Sequence, residues 1–421
     1  MGDRREGEMA NSSERFLGIG LDDALTRRQV LQAGLAGAAM VGLAACGESQ
    51  PATVEASAGP DFKVGAVLPA SKVYAELGAS ITNGMKLYLD KVGNKAAGRK
   101  IVVLFEDEEA TPDVALAKTR KLVEQDNVSM IAGYVASPDA VGSRDYLHQN
   151  AMPTLIANAG ANVLTRAKKS PYIYRTSFSN WQPNHPMGSY VADNITKKVT
   201  LVYANYAAGS ETAASFKETF TGQILAEVKP PLGNQDYATY ISQISASKPE
   251  AIYFFLSGTD AVKFFTQASQ VGLFANIKVT GSGFGVEQDV TQAIGDKSPV
   301  GAITGLHWAY TLDTKENKDF TSAYKSKYGK LADVFAVQGY DTARVIVEAL
   351  NAVKGKTDDK QAFLKAIADV KFKSPRGDFA FDAATNNVIN PVYIRELIKD
   401  PSLGYVNKVK STVAGVADPG H

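Results

Sequence analysis

From residue 62 onward the chain alternates short, unbroken apolar runs with longer stretches in which apolar residues recur every three or four positions. Phe62-Lys63-Val64-Gly65-Ala66-Val67-Leu68, Lys100-Ile101-Val102-Val103-Leu104-Phe105, Val128-Ser129-Met130-Ile131-Ala132-Gly133 and Pro153-Thr154-Leu155-Ile156-Ala157 read as four strands. Between the first two, Ile81, Met85, Leu87 and Leu89 share one face of a helix predicted over residues 78–90, and Thr111-Pro112 opens another with proline in its first turn. Strands that are apolar on both faces and separated by helices predict a parallel sheet covered on both sides. The pattern then restarts with Val199-Thr200-Leu201-Val202-Tyr203, Ala251-Ile252-Tyr253-Phe254-Phe255-Leu256 and Ile277-Lys278-Val279-Thr280, with helices predicted at 209–220, 237–247 and 260–271. Two such series predict two α/β lobes of like architecture. Long helices are predicted at 317–328 and 334–353. Residues 379–382 and 392–395 predict a late antiparallel pair.

Composition narrows the function. Among 421 residues, 45 Lys and Arg face 44 Asp and Glu, a formal net charge of +1. That balance leaves no field to hold a nucleic-acid backbone. The single cysteine, Cys46, excludes an intrachain disulfide, a multi-cysteine zinc site and an iron–sulfur cluster. His148, His185, His307 and His421 are scattered, without an HExxH pair. No metal and no cofactor is expected.

The first 60 residues read as an address. Thr26-Arg27-Arg28-Gln29-Val30-Leu31 carries a twin-arginine pair, followed by an uncharged run over 29–47 that Gly34, Gly37 and Gly42 make only mildly apolar. This is too weak for a membrane-spanning helix and resembles a twin-arginine export signal. The run ends in Leu43-Ala44-Ala45-Cys46-Gly47, which resembles a bacterial lipobox. Residues 1–45 are thus the predicted signal, Cys46 the lipidated first residue of the mature chain, and 46–61 a flexible tether. The predicted location is the periplasm or cell envelope, with the lipid as the only membrane contact.

Catalytic motifs are missing. There is no G-x-S-x-G elbow and no Walker A loop. Gly281-Ser282-Gly283-Phe284-Gly285 follows a strand, but Val286 stands where a dinucleotide fingerprint needs glycine, so the run predicts a loop allowing close approach to a ligand or the other lobe. Glu106-Asp107-Glu108-Glu109 reads as a solvated turn before a helix N-terminus rather than a metal site. No enzyme activity is expected.

Several segments together resemble the solute-binding proteins of ABC importers, of the leucine/isoleucine/valine-binding type. They are Val64-Gly65-Ala66-Val67-Leu68-Pro69 through Ala75-Glu76-Leu77-Gly78, Ile131-Ala132-Gly133-Tyr134-Val135-Ala136-Ser137, Tyr174-Arg175-Thr176, Pro249-Glu250-Ala251-Ile252-Tyr253, Gly339-Tyr340-Asp341-Thr342-Ala343 and Ser374-Pro375-Arg376-Gly377-Asp378-Phe379. The resemblance spans residues 62–399. It implies the type I periplasmic binding protein fold, two Rossmann-like lobes joined by three crossover segments. Residues 62–178 and 309–372 would form the first lobe, and 179–308 and 373–421 the second. A solute would be trapped in the cleft by hinge closure.

The resemblance also implies a site. Ser137 matches a serine that holds a ligand carboxylate, and Asn158, Ala159 and Gly160 match a loop that grips carboxylate and amine. Leu77 and Tyr340 match wall positions, and Tyr206 a tyrosine of the far lobe. Asn180 and Gly283 fall where amino-acid-binding members carry acidic residues, so an ammonium group would lack its partner here. Phe178, Trp181, Phe284 and Trp308 offer aromatic walls for a flat ring. The expected ligand is therefore a small carboxylate, aromatic or otherwise lacking an amine, delivered by a monomeric protein to the membrane subunits of an importer. A branched-chain amino acid binder and a ligand-sensing module are the alternatives.

Overall fold

The computed structural model describes residues 59–421; the twin-arginine segment, the lipobox with Cys46 and all but the end of the tether lie outside the described residues. The first α/β series runs β1 (Phe62–Val67), α1 (Ala75–Lys91), β2 (Lys95–Ala96), β3 (Arg99–Glu106), α2 (Pro112–Arg120), β4 (Met130–Gly133), α3 (Ser137–Gln149), β5 (Thr154–Ile156) and β6 (Ile173–Arg175). The second runs α4 (His185–Asn194), β7 (Lys198–Tyr203), α5 (Ala207–Lys217), β8 (Gln223–Val228), α6 (Ala238–Ser247), β9 (Ala251–Phe255), α7 (Gly258–Gln270), β10 (Lys278–Ser282), α8 (Gln288–Ile294) and β11 (Ile303–Leu306). Three helices follow, α9 (Lys315–Tyr328), α10 (Val334–Ala352) and α11 (Lys360–Ala368). The chain closes with β12 (Lys371–Ser374), β13 (Gly377–Asp382), β14 (Asn387–Val388), β15 (Asn390–Asp400) and β16 (Gly404–Val416).

The strands form two sheets, ordered β12-β13-β14-β6-β5-β4-β1-β3-β2 and β16-β15-β11-β10-β9-β7-β8. The centre of each is parallel, with β1 between β3 and β4 in the first and β7 between β8 and β9 in the second. Alternation along β1 and β4 sends Val64, Ala66, Met130 and Ala132 to one buried face and Val67 and Ile131 to the other. This is why the runs read as continuously apolar. On the first face α1 and α10 cross closely. A Cβ on Gly84 would lie 1.9 Å from the Ala336 carbonyl oxygen, and one on Gly339 2.0 Å from that of Ile81, so only glycine fits either place. The start of α10 is fixed by Asp333, whose side chain accepts from the Ala336 N–H at 2.8 Å.

The two late segments predicted to pair do not. β13 pairs antiparallel with β12 and β14 in the first sheet, whereas β15 pairs with β11 and β16 in the second. The partner of β15, β16, is exposed along most of its length, which weakens its apolar signal. The chain enters the second sheet for the last time at Asn390, after β12–β14 have extended the first, rather than at 373. No helix among the described residues is long and apolar enough to cross a membrane.

Candidate ligand-binding site

In each sheet the direction of winding reverses beside the first strand of its series, between β1 and β4 and between β7 and β9. Loops leaving the carboxyl ends of strands diverge at such points and leave a crevice. Here both crevices contribute to one cavity. After β1 come Tyr74 and Leu77; after β4, Val135 and Ser137; after β5, Asn158 and Gly160. The second sheet supplies Tyr206 and Ala208 after β7, Phe255 and Ser257 at the end of β9, and Phe284 after β10. Phe178 and Asn180 come from the crossing after β6, and Phe335 from the first turn of α10.

Six of these residues are aromatic. Phe178 and Phe284 meet with ring centroids 4.7 Å apart, and Phe284 stacks on Phe335 at 5.9 Å. On the opposite side the Tyr74 and Tyr206 hydroxyls, one from each half, bond at 3.0 Å. Burial raises the ionisation range of both phenols, so both remain protonated and neutral. No lining side chain carries a formal charge.

The polar end is built around the N-terminus of α3. Tyr134, just before it, holds the left-handed φ of 63°. Its hydroxyl bonds Thr119 at 2.6 Å, and its carbonyl accepts from the N–H groups of Asn158 and Ala159 at 3.2 and 2.9 Å. Glu108 is fully buried rather than part of a solvated turn. It accepts from the Val135 and Ala136 N–H groups at 3.1 and 2.9 Å and so staples the loop that presents Ser137. Burial, then the neighbouring Asp139, pushes the Glu108 carboxyl well above its usual range. The Ser137 hydroxyl has no hydrogen bond to the described protein and sits at the positive end of α3, an arrangement suited to an anionic or hydrogen-bond-accepting group.

Of the residues singled out in the sequence, Leu77, Ser137, Asn158, Gly160, Phe178, Asn180, Tyr206 and Phe284 line this cavity, and five lie elsewhere. Ala159 packs into the core beneath α3, and its N–H is already engaged. The Trp181 indole N–H donates to Glu218 at 2.7 Å, and its ring stacks on His185 at 4.1 Å. Gly283 faces the buried Arg395 guanidinium, which donates to the Gly283 carbonyl at 3.2 Å. Tyr340 lies further along α10, edge-on to Tyr88 and Phe320, because the first turn of that helix, not its middle, reaches the cavity. Trp308 is buried, its indole N–H bonded to Asn317 at 2.8 Å. Sequence reasoning missed Tyr74, Val135, Ala208, Phe255 and Phe335. Tyr74 stands within the matched opening segment, which was the one available signal for it. It also missed Glu211 on α5, whose carboxylate accepts from the Asn180 side chain at 2.7 Å and the Asn162 N–H at 2.9 Å. An acid therefore does stand behind Asn180, one side chain removed from the cavity.

The comparisons agree with this geometry. Residues 61–401 match the family model described as periplasmic binding protein. A Leu/Ile/Val-binding protein homolog from Brucella melitensis is 29% identical over 366 residues, covering 85% of this chain and 93% of its own. A solute-binding protein of an ABC transporter from R. palustris, solved in complex with benzoate, superposes with a TM-score of 0.81 at 33% identity, covering 86% of this chain and 98% of that one. Another, from Rhodopseudomonas palustris BisB5 in complex with 3,4-dihydroxybenzoic acid, gives 0.81 at 34% identity over 86% and 99% of the two chains. With two parallel-centred lobes, crossing segments between them and a cavity at both switch points, the chain belongs to the periplasmic binding protein family and has its type I fold.

Proposed function

We propose that this protein is the extracytoplasmic solute-binding component of an ABC importer and that it captures a small aromatic carboxylate of the benzoate class by closing its lobes around it. The observation that carries this reading is the lining itself, aromatic on its walls and uncharged throughout, with a free serine hydroxyl at a helix N-terminus. Aromatic walls bury a flat ring at little cost. Oriented dipoles and hydroxyls meet a carboxylate without a cation. An ammonium group there would meet dipoles alone, and burying a charge without a partner costs several kcal/mol. The R. palustris relatives in complex with benzoate and 3,4-dihydroxybenzoic acid support the same ligand class.

A branched-chain amino acid is the second reading. It is favoured by the Brucella relative's name and by Glu211, which would have to exchange Asn180 for the ligand's ammonium group. A thermal-shift panel at equal concentration separates the two. Benzoate and hydroxybenzoates are expected to raise the melting temperature, and leucine, isoleucine and valine to leave it unchanged. The reverse pattern assigns the site to amino acids.

Anchoring follows the same reading. Cys46 carries the lipid that keeps the protein at the membrane beside its importer, and Cys46→Ser is expected to move it to the soluble envelope fraction. Retention of that variant on membranes after a salt wash would rule the anchor out.

A further inference from the structure

Behind the polar wall of the cavity runs a relay of three buried side chains. The Asn158 amide meets the Gln338 amide of α10 at 2.7 Å, and the Gln338 amide nitrogen lies 3.2 Å from His307 Nε2. His307 comes from the second crossing between lobes. Its ring stacks on Phe178 at 5.4 Å and meets Phe284 edge-on at 6.2 Å, so it is held against two walls of the site. Its Nδ1 is buried and has no hydrogen-bond partner among the described residues. Burial, then Arg376 and Arg395, holds the imidazole well below its usual ionisation range, so the ring is neutral and carries one N–H.

Two hydrogen-bond directions share this outline, because amide oxygen and nitrogen are alike in shape. As placed, Asn158 donates to Gln338 and Gln338 donates to His307 Nε2. The imidazole proton must then sit on Nδ1, where it meets no acceptor, and the Asn158 oxygen faces the cavity. With both amides turned over, His307 Nε2–H donates to Gln338, Gln338 donates to the Asn158 oxygen, and Nδ1 is left with only a lone pair. No other side-chain bond is lost, since neither amide makes one. Buried donors without acceptors are rarer than acceptors without donors, so the second direction is preferred. It turns the Asn158 NH2 group into the cavity, on the side where Ser137 stands.

We propose that His307 and Gln338 are positioning residues that hold the Asn158 NH2 group toward the ligand, so that the site selects a group that accepts hydrogen bonds over one that donates them. The consequence for affinity rests on the carboxylate reading above, whereas the direction of the relay is a property of the empty protein. Long-range 1H–15N NMR of the purified protein, with the His307 signal identified by its loss in His307→Phe, is expected to show the proton on Nε2. A proton on Nδ1 would overturn the proposal. Gln338→Met then frees Asn158. Benzoate affinity is expected to fall about tenfold, the value of a hydrogen bond to a charged group. Benzamide, which offers both a donor and an acceptor, is expected to lose less than threefold. Equal losses for both ligands would mean a merely structural relay and overturn the positioning role. If the unmodified protein binds no acid of the benzoate class, the functional reading fails, and the tautomer still decides the direction.

Discussion

Asp341→Ala is expected to cost about 3–5 kcal/mol of folding stability, the usual penalty for leaving a buried charge without its partner. Asp341 on α10 and Arg376 between β12 and β13 are both almost wholly shielded from solvent and pair at 2.8 Å. The same guanidinium donates to the Ser177 carbonyl at 2.9 Å and to that of Thr176, pinning the first crossing between the lobes. The Arg376 carbonyl in turn accepts from the Tyr393 hydroxyl at 2.9 Å, which ties in β15. Burial raises the Asp341 carboxyl above its usual range despite the guanidinium beside it, a sign of how much desolvation this pair carries. Removing the acid leaves Arg376 with carbonyls alone. Replacing both members, as Asp341→Ala with Arg376→Met, removes the desolvation as well as the attraction and is expected to recover much of the loss. Urea unfolding of Asp341→Ala, Arg376→Met and the double variant measures this. A single variant within about 1 kcal/mol of the parent would show that the pair does not hold the crossing.

The same residues show how far the sequence could be read. Parallel strands buried on both faces, such as β4, β7 and β9, announced themselves, whereas the part-exposed β8 did not, and the long helix at 334–353 matches α10 to within one residue. The Arg175 and Arg376 segments stood out as family-like before any role for them was visible. In the structure both arginines are buried fasteners of the crossings, Arg175 bonding Asn387, Ala161 and Thr165 at 2.6–2.7 Å. What could not be read was pairing at a distance. Two alternating segments near the end predict strands, but nothing local says that β13 and β15 belong to different sheets. That choice is made by Ile389 and Asn390, where the chain crosses over.

The site divides in the same way. Ser137, Asn158 and Tyr206, close after strand ends, were legible because topology sends those loops to the crevice, although Val135 and Phe255 at like places were not. Two residues that act by other routes also went unread. Phe335 arrives from the first turn of a helix far along the chain, and Glu211 acts through Asn180. Gly283 lies one residue from the lining, and in a short turn one residue reverses the direction faced: Phe284 enters the cavity while Gly283 meets Arg395.

Gly160→Ala is expected to lower ligand affinity by about a hundredfold or more while leaving the fold in place. A Cβ at this position would lie 2.2 Å from Asn180 Oδ1 and 2.6 Å from a Phe178 ring carbon, and both of those side chains line the cavity. The Gly160 backbone lies outside the left-handed region, so the cost is steric and not conformational. Overpacking of this kind costs about 1–3 kcal/mol where neighbours give way. Here the neighbours that give way are the site itself. Displacing Asn180 also breaks its bond to Glu211, and displacing Phe178 spoils its contacts with Phe284 and His307. Loss of one hydrogen bond at about 1 kcal/mol and one aromatic contact at about 0.5–1.5 kcal/mol adds to the strain, which together reaches the hundredfold range. Adding Asn180→Ala removes the nearer clash and is expected to return part of the affinity, because the new methyl then fills the space vacated by the amide. Calorimetry with whichever acid the panel identifies reads both variants, and the unliganded melting temperature serves as the control. Full affinity in Gly160→Ala would place the ligand away from the Asn158–Gly160 loop and shift the site toward Tyr206 and Ser257 on the opposite side.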